Sequence, residues 1–219
     1  MSSDYVEQTT ALIGRIEGQE LLPHAIRLLS GGEPVALEQL AAAAGWSVED
    51  VEAALGAQTS AERDDQGRLV GLALTLRPTT HRFTVDGRTL FAWCASDTLM
   101  LPVVLGSPAI VESTCPQTGQ AIRIELTPDT VERLDPPEAV MSAVRPPGRL
   151  ADVRSTTCNH GHFFSSITTT AAWSDAHPDG HLYPVEEAFR LDRQVITQLG
   201  WDAVRAHWRP SEWRVHQRR

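Results

Sequence analysis

The spacing of apolar residues in this chain changes near Pro78, and that change constrains the fold more than any other feature of the sequence. In most of the chain before Pro78 the apolar residues recur every three or four positions, as on one face of an α-helix. After it, short runs alternate apolar with polar residues and are separated by glycine, proline and aspartate, as in half-buried strands. We therefore expect an α+β fold, with a helical domain over residues 1–78 and a β-rich core over residues 79–219.

The helical part contains a helix-turn-helix pattern. One helix is predicted over Leu37–Ala44, and Ser47 is a suitable N-cap for a second helix over Val48–Leu55. A turn and the alternating segment Leu69–Leu74 then predict a strand. Residues 34–76 are therefore predicted to form a module like a winged helix, packed on the core.

The second part is predicted to consist of short, mostly antiparallel strands and one closing helix. The strands fit the alternating segments His81–Val85, Ala109–Ser113, Ala121–Thr127 and Val140–Arg145. A turn is predicted at Pro146–Gly148. Apolar residues from Val185 to Leu199 recur at helical spacing, and Gly200 is expected to end this C-terminal helix.

The charge of the chain argues against nucleic acid as a partner. There are 19 Lys and Arg residues against 28 Asp and Glu, which gives a formal charge of −9. Glu49, Asp50 and Glu52 lie on the second helix of the helix-turn-helix, the one that would face phosphates in a DNA complex. Because each carboxylate there would weaken binding, we expect a structural or substrate-covering role for this module.

No segment predicts a membrane span or a secretion signal. The longest apolar run, Leu99–Leu105, is far shorter than the ~20 residues that cross a bilayer. The amino terminus lacks the basic and apolar regions of a signal peptide. We expect a cytoplasmic protein with no membrane partner, either a monomer or a homodimer, whose cysteines are free thiols.

Two of the three cysteines lie among other reactive groups. Cys94 stands three residues before Asp97, ahead of an apolar stretch expected to be helical with Ser96 or Asp97 as its N-cap. A thiol near a helix N-terminus has a lowered pKa, which predicts a reactive thiolate at Cys94. Cys158 follows 64 residues later and could meet Cys94 in the fold. Cys115, at a strand end, is interpreted as a small buried side chain.

Several functions are compatible with these residues. Cys158, His160 and His162 form a compact Cys/His group, but structural zinc needs four ligands, normally in two spaced pairs. A metal-responsive winged-helix regulator could bind a soft metal through Cys94, Cys158 and His160. A cysteine hydrolase would use Cys94 as nucleophile and His160 or His162 as base, and would need no second thiol.

A family resemblance favours a different enzyme. The segments Trp93–Leu99, Cys158–Phe164 and Glu186–Phe189, in this order, resemble the alkylmercury lyases, also called organomercurial lyases. The resemblance extends from about Pro34 to Leu199 and includes the region that is similar to a winged helix. It implies an enzyme of organomercurial detoxification that cleaves a carbon–mercury bond and yields a hydrocarbon and Hg(II).

The resemblance also implies which residues act. Cys94, Asp97 and Cys158 match the essential residues of the family, and Cys94 and Cys158 would be the ligands of mercury. Asn159 is a departure, because some members carry a second cysteine beside the one at Cys158. That neighbour is not among the essential residues, so the departure puts little in doubt.

The chemistry of these residue types is consistent with that reaction. Mercury is a soft cation that prefers thiolate, so two cysteines can bind an organomercurial and push electron density onto its carbon. Asp97 would accept a thiol proton and then deliver a proton to that carbon. The metal is part of the substrate, so no cofactor is expected. Free cellular thiols or a mercuric reductase are the implied acceptors of Hg(II).

Overall fold

The computed structural model describes residues 2–145 and 152–202. Its first part is helical, as the apolar spacing predicts, with α1 (Ser2–Ile13), a 3-10 turn (Gln19–Leu21), α2 (Leu22–Leu29), α3 (Leu37–Ala44) and α4 (Val48–Ala57). Ser47 is the N-cap of α4, as predicted, because its hydroxyl accepts a hydrogen bond of 3.1 Å from the Asp50 N–H. The acidic residues that α4 was expected to present are exposed.

An antiparallel sheet of eight strands follows. Its strands are β1 (Glu62–Arg63), β2 (Leu69–Leu72), β3 (Leu74–Thr75), β4 (His81–Val85), β5 (Arg88–Ala92), β6 (Ala109–Thr114), β7 (Ala121–Leu126) and β8 (Val131–Asp135). Their order across the sheet is β1-β2-β3-β5-β4-β6-β7-β8. The predictions of β4, β6 and β7 are confirmed, whereas β5 and β8 were not predicted from the sequence.

The segment Leu69–Leu74, predicted as one strand, is instead the hairpin of β2 and β3. The chain reverses at Ala73, whose φ is +62°, and Leu72 pairs with Leu74 across the turn. The Ala73 carbonyl accepts a hydrogen bond of 3.0 Å from the Trp93 N–H, which joins the turn to the end of β5. Both arms are buried, so the apolar spacing carries no sign of the reversal.

A smaller antiparallel sheet has β9 at its centre. Its strands are β9 (Val140–Ala143), β10 (Phe163–Phe164) and β11 (His181–Pro184), in the order β10-β9-β11. The strand predicted over Val140–Arg145 therefore ends two residues early. The turn predicted at Pro146–Gly148 lies outside the described residues.

The remaining helices complete the α+β fold that the sequence predicts. They are α5 (Ala95–Leu105), α6 (Val153–Thr156), α7 (Ala171–Ala176) and α8 (Val185–Gln198). The C-terminal helix α8 is confirmed, and it packs on both α5 and α1. This arrangement places the first helix of the chain beside the start of α5. No helix within residues 2–145 and 152–202 is long and apolar enough to span a membrane.

Candidate active site

Cys94 lies where β5 ends and α5 begins, and it is the N-cap of that helix. Its sulfur accepts a hydrogen bond of 3.4 Å from the Asp97 N–H, and the Asp97 carboxylate accepts one of 3.2 Å from the Cys94 N–H. The sequence-based prediction of Ser96 or Asp97 as the cap was wrong. Cysteine is not among the favoured N-cap residues, so the usual capping preferences favour Ser96 or Asp97 instead. The reciprocal pair holds the thiol and the carboxyl side by side.

Cys158 reaches Cys94 from a separate segment, a 3-10 turn over Cys158–His160 that follows α6. The Ala95 N–H donates a hydrogen bond of 3.1 Å to the Gly161 carbonyl, which joins that segment to the start of α5. A β-carbon on Gly161 would lie 3.1 Å from the Cys94 β-carbon. Such a contact is tight, so glycine favours the close approach of the two segments here. Sequence reasoning missed Gly161, because this glycine marks no turn and its φ of −92° is an ordinary one.

The three residues predicted as the site come together. The sulfurs of Cys94 and Cys158 and a carboxylate oxygen of Asp97 all lie within 4.8 Å of one another. A metal–thiolate bond is ~2.3 Å long for zinc, so two such bonds span ~4.6 Å. One soft metal atom could thus bind both sulfurs with Asp97 next to it. Both thiols are buried, with 6% of Cys94 and 7% of Cys158 exposed.

Burial sets the proton affinity of the Asp97 carboxyl. Burial raises the pKa of Asp97 from 3.8 to about 7, although hydrogen bonds from the Cys94 thiol and N–H act in the opposite direction. The Cys94 thiol donates to the Asp97 Oδ2 over 3.2 Å. A carboxyl with a pKa near neutrality can both accept and donate a proton at physiological pH, as a general acid–base group requires.

The thiolate predicted at Cys94 is not what the structure favours. The hydrogen bond with Cys158, burial and the neighbouring Asp97 together raise the pKa of Cys94 well above its usual value. For Cys158, the hydrogen bond with Cys94 lowers the pKa, but burial and the acidic neighbours outweigh it and the pKa is raised. The prediction considered only the helix N-terminus, whereas the hydrogen bond with Cys158 and desolvation decide the pKa of Cys94. Both cysteines therefore start as thiols.

An apolar cavity of about 110 Å³ adjoins the two thiols and the carboxyl. Helices α1, α2 and α5 contribute much of its wall. The apolar side chains from these helices include Leu12, Ile13, Leu22, Ile26, Met100 and Val104. Such a lining suits an uncharged organic group bound beside reactive polar atoms.

A second buried carboxyl, Asp192 on α8, lies behind the start of α5. It is fully buried and accepts hydrogen bonds from the Tyr5 hydroxyl at 2.5 Å and from the Ser96 hydroxyl at 3.1 Å. Burial raises the pKa of Asp192 to about 7. Sequence reasoning missed this group, although a carboxylate on the apolar stripe of α8 was a usable signal. It links α1, α5 and α8 next to Asp97.

Cys115 and the histidines lie outside the group of three. Cys115 is buried after β6 and its thiol contacts the Thr169 hydroxyl at 3.8 Å. Burial raises the pKa of Cys115, but hydrogen bonds from Thr118 and from backbone N–H groups outweigh it and lower the pKa to about 6. His160 is hydrogen-bonded to His177 at 2.9 Å. A regulator was expected to bind metal through Cys94, Cys158 and His160. Among the described residues, the group that could hold a metal ion is instead Cys94, Asp97 and Cys158.

Comparison with known proteins shows the family of this chain. The family model described as alkylmercury lyase matches residues 74–197, and the one described as the helix-turn-helix domain of alkylmercury lyase matches residues 17–73. The chain is 45% identical over 170 residues to the alkylmercury lyase of Staphylococcus epidermidis, which covers 78% of each protein. It is 42% identical over 180 residues to that of Pseudomonas putida, covering 82% of this chain and 84% of the relative.

A solved structure shows the same fold. It is the crystal structure of the mercury-bound form of MerB2, with a TM-score of 0.73 and 24% sequence identity. The match covers 90% of this chain and 99% of that chain. The two family models and the relatives of 42% and 45% identity thus show that the chain belongs to the alkylmercury lyase family, enzymes that cleave carbon–mercury bonds.

Proposed function

We propose that Cys94, Asp97 and Cys158 cleave the carbon–mercury bond of an organomercurial by protonolysis. The observation that carries this proposal is the cluster itself, two thiols and one carboxyl within 4.8 Å of one another. The cavity beside the cluster supports it, because its apolar wall would receive the organic group. The substrate brings its own metal, so this reaction needs no resident cofactor.

The first step is capture of the substrate by Cys94. A bond forms between its sulfur and mercury, while the bond from mercury to the inorganic leaving group breaks. The Cys94 proton moves to the Asp97 carboxylate, to which the thiol already donates a hydrogen bond of 3.2 Å. Ionising a buried thiol is unfavourable unless a base accepts the proton during attack, which explains why the carboxylate is adjacent.

The second step is binding of the same mercury by Cys158. Its sulfur adds to mercury, and its proton is released to solvent, where the anion displaced in the first step balances its charge. Two thiolates donate electron density to the metal and so increase the negative character of the bound carbon. Protonated Asp97 then transfers its proton to that carbon, and the carbon–mercury bond breaks. The products are a hydrocarbon, Hg(II) held by two thiolates and an ionised Asp97.

Release of Hg(II) requires a competing thiol. Soft Hg(II) prefers sulfur over oxygen or nitrogen, so water is a poor acceptor. We propose that free cellular thiols, or the thiols of a mercuric reductase, take the metal by exchange. In an assay, an excess of free thiol should therefore be required for multiple turnovers.

The test is to replace each cysteine with serine and measure hydrocarbon release with excess free thiol. Cys94→Ser and Cys158→Ser should each nearly abolish release, because each removes one of the two sulfurs. Cys115→Ser is the matched control, since it removes a buried thiol outside the cluster and should change mainly stability. Wild-type release by Cys158→Ser would end the two-thiol mechanism.

Asp97→Asn separates capture from cleavage. The two thiols remain, so this variant should still bind a methylmercury or phenylmercury salt, although more slowly because no carboxylate accepts the Cys94 proton. It lacks the proton donor that cleavage requires. Native mass spectrometry should detect a protein adduct that retains the organic group. If bare Hg(II) forms on the variant at near the wild-type rate, another group supplies the proton.

A further inference from the structure

Glu62 is a buried carboxylate that the reaction above does not use. It lies on β1, next to the helix-turn-helix, and only 7% of it is exposed. It accepts hydrogen bonds from the Thr75 hydroxyl at 2.5 Å and the Trp93 indole N–H at 3.2 Å, and it forms an ion pair with Arg154. A buried charge with this many partners is a fully satisfied group, and removing it would leave the cation unpaired.

The partners of Glu62 belong to the two segments that carry the thiols. Trp93 immediately precedes Cys94 in the chain. Arg154 lies on α6, which leads directly into the 3-10 turn of Cys158. The Arg154 guanidinium also lies over the Trp93 ring, 5.2 Å from its centre. One carboxylate therefore joins the segment of Cys94 to the segment of Cys158.

The neighbouring strand leaves room for this carboxylate. A β-carbon on Gly71 would overlap the Glu62 carboxylate, and it would lie only 2.7 Å from the Thr75 hydroxyl oxygen. Gly71 lies within β2 rather than at a turn. Its lack of a side chain thus serves close approach of Glu62, and not an unusual backbone conformation.

We propose that Glu62 is a positioning residue that holds the sulfurs of Cys94 and Cys158 at a separation suited to one mercury atom. This inference rests on the proposed two-thiol mechanism. Replacing a residue that orients the ligands of a metal site typically costs about 10- to 100-fold in metal affinity or activity. It also gives the helix-turn-helix region a structural part in the catalytic site, since β1 and Gly71 belong to that region.

The test compares Glu62→Gln with the wild type in two measurements on folded protein. The first is hydrocarbon release with excess thiol, and the second is retention of Hg(II) by the pre-loaded protein against an excess of a monothiol, read by mass spectrometry. We expect release to fall by about 10- to 100-fold and Hg(II) to be lost faster. Capture of one organomercurial per protein should persist, because Cys94 remains. Glu52→Gln, at an exposed ion pair with Arg63 of the same region, is the control and should match the wild type in both measurements.

Two further variants keep the test independent of the folding of Glu62→Gln. Gly71→Ala displaces the carboxylate without removing it, and Trp93→Phe removes one donor. Both should reduce Hg(II) retention in protein that is folded by circular dichroism. The proposal is overturned if folded Glu62→Gln, or both other variants, retain Hg(II) and release hydrocarbon as the wild type does. Failure of the two-thiol mechanism is distinguishable, because it would appear as wild-type release by Cys158→Ser with Glu62 intact.

Discussion

Replacing Asp97 with asparagine should make the protein more stable at alkaline pH while abolishing cleavage. Burial raises the pKa of Asp97 from 3.8 to about 7 in the folded state. The unfolded chain therefore loses this proton near pH 4, whereas the folded protein keeps it until about pH 7. Between these values the folded state binds more protons, so its stability falls as the pH rises. Above pH 7 the loss is complete and constant.

The size of the change in unfolding free energy depends on how much of the interval between the two pKa values the experiment covers. From pH 5 to pH 7 the free energy of unfolding of the wild type falls by about 1.4 kcal/mol per pH unit, or about 2 to 3 kcal/mol in all. Asparagine does not titrate and so avoids this loss. The stability advantage of Asp97→Asn should therefore grow by about 2 to 3 kcal/mol between pH 5 and pH 8.5, which corresponds to about 5 to 10 °C in Tm. The Asp97 charge also raises the pKa of Asp192, so its removal acts in the same direction.

The assay is urea unfolding of the wild type and the variant at pH 5 and pH 8.5, followed by circular dichroism under reducing conditions. Asp64→Asn is the control. Partial desolvation raises the pKa of Asp64, but hydrogen bonds from Arg68 and Gln66 lower it overall. Asp64 is thus ionised throughout this window, and its variant should differ from the wild type equally at both pH values. The reasoning would be refuted if the free energies of unfolding of Asp97→Asn and the wild type also differed by the same amount at pH 5 and at pH 8.5.

Other outcomes follow from the cavity, the second carboxyl and the surface. Leu12→Trp should fill part of the cavity and slow the turnover of phenylmercury more than that of methylmercury, measured as hydrocarbon release; equal slowing would place the organic group elsewhere. Tyr5→Phe removes the donor at 2.5 Å from Asp192 and should lower the free energy of unfolding in urea by about 1 to 3 kcal/mol; an unchanged value would show that this hydrogen bond does not stabilise the fold. The purified protein should not retard duplex DNA in a gel-shift titration at physiological salt, because Glu49 and Glu52 are exposed on α4.

The local pattern of the sequence was sufficient for much of the fold. The Ser47 cap and the apolar stripe of α8 are properties of neighbouring residues, and the structure confirms what each predicted. The change of spacing near Pro78 predicted an α+β fold, which is also found, although β1 to β3 of the large sheet lie before Pro78. The residues proposed for catalysis were also reached from the sequence. Their reactive types stand out in two short segments, and the resemblance to a family related those segments to one reaction.

Only the tertiary structure decided how those residues behave. The helix N-terminus predicted a lowered pKa for Cys94, but burial and a partner 64 residues away raise it. Asp192, Gly161 and Glu62 were missed because their importance depends on contacts with distant parts of the chain. Local pattern specifies which face of an element is buried, but not which groups meet there. Desolvation and close approach depend on these long-range contacts. The proton affinities and the geometry of this site therefore follow only from the tertiary structure.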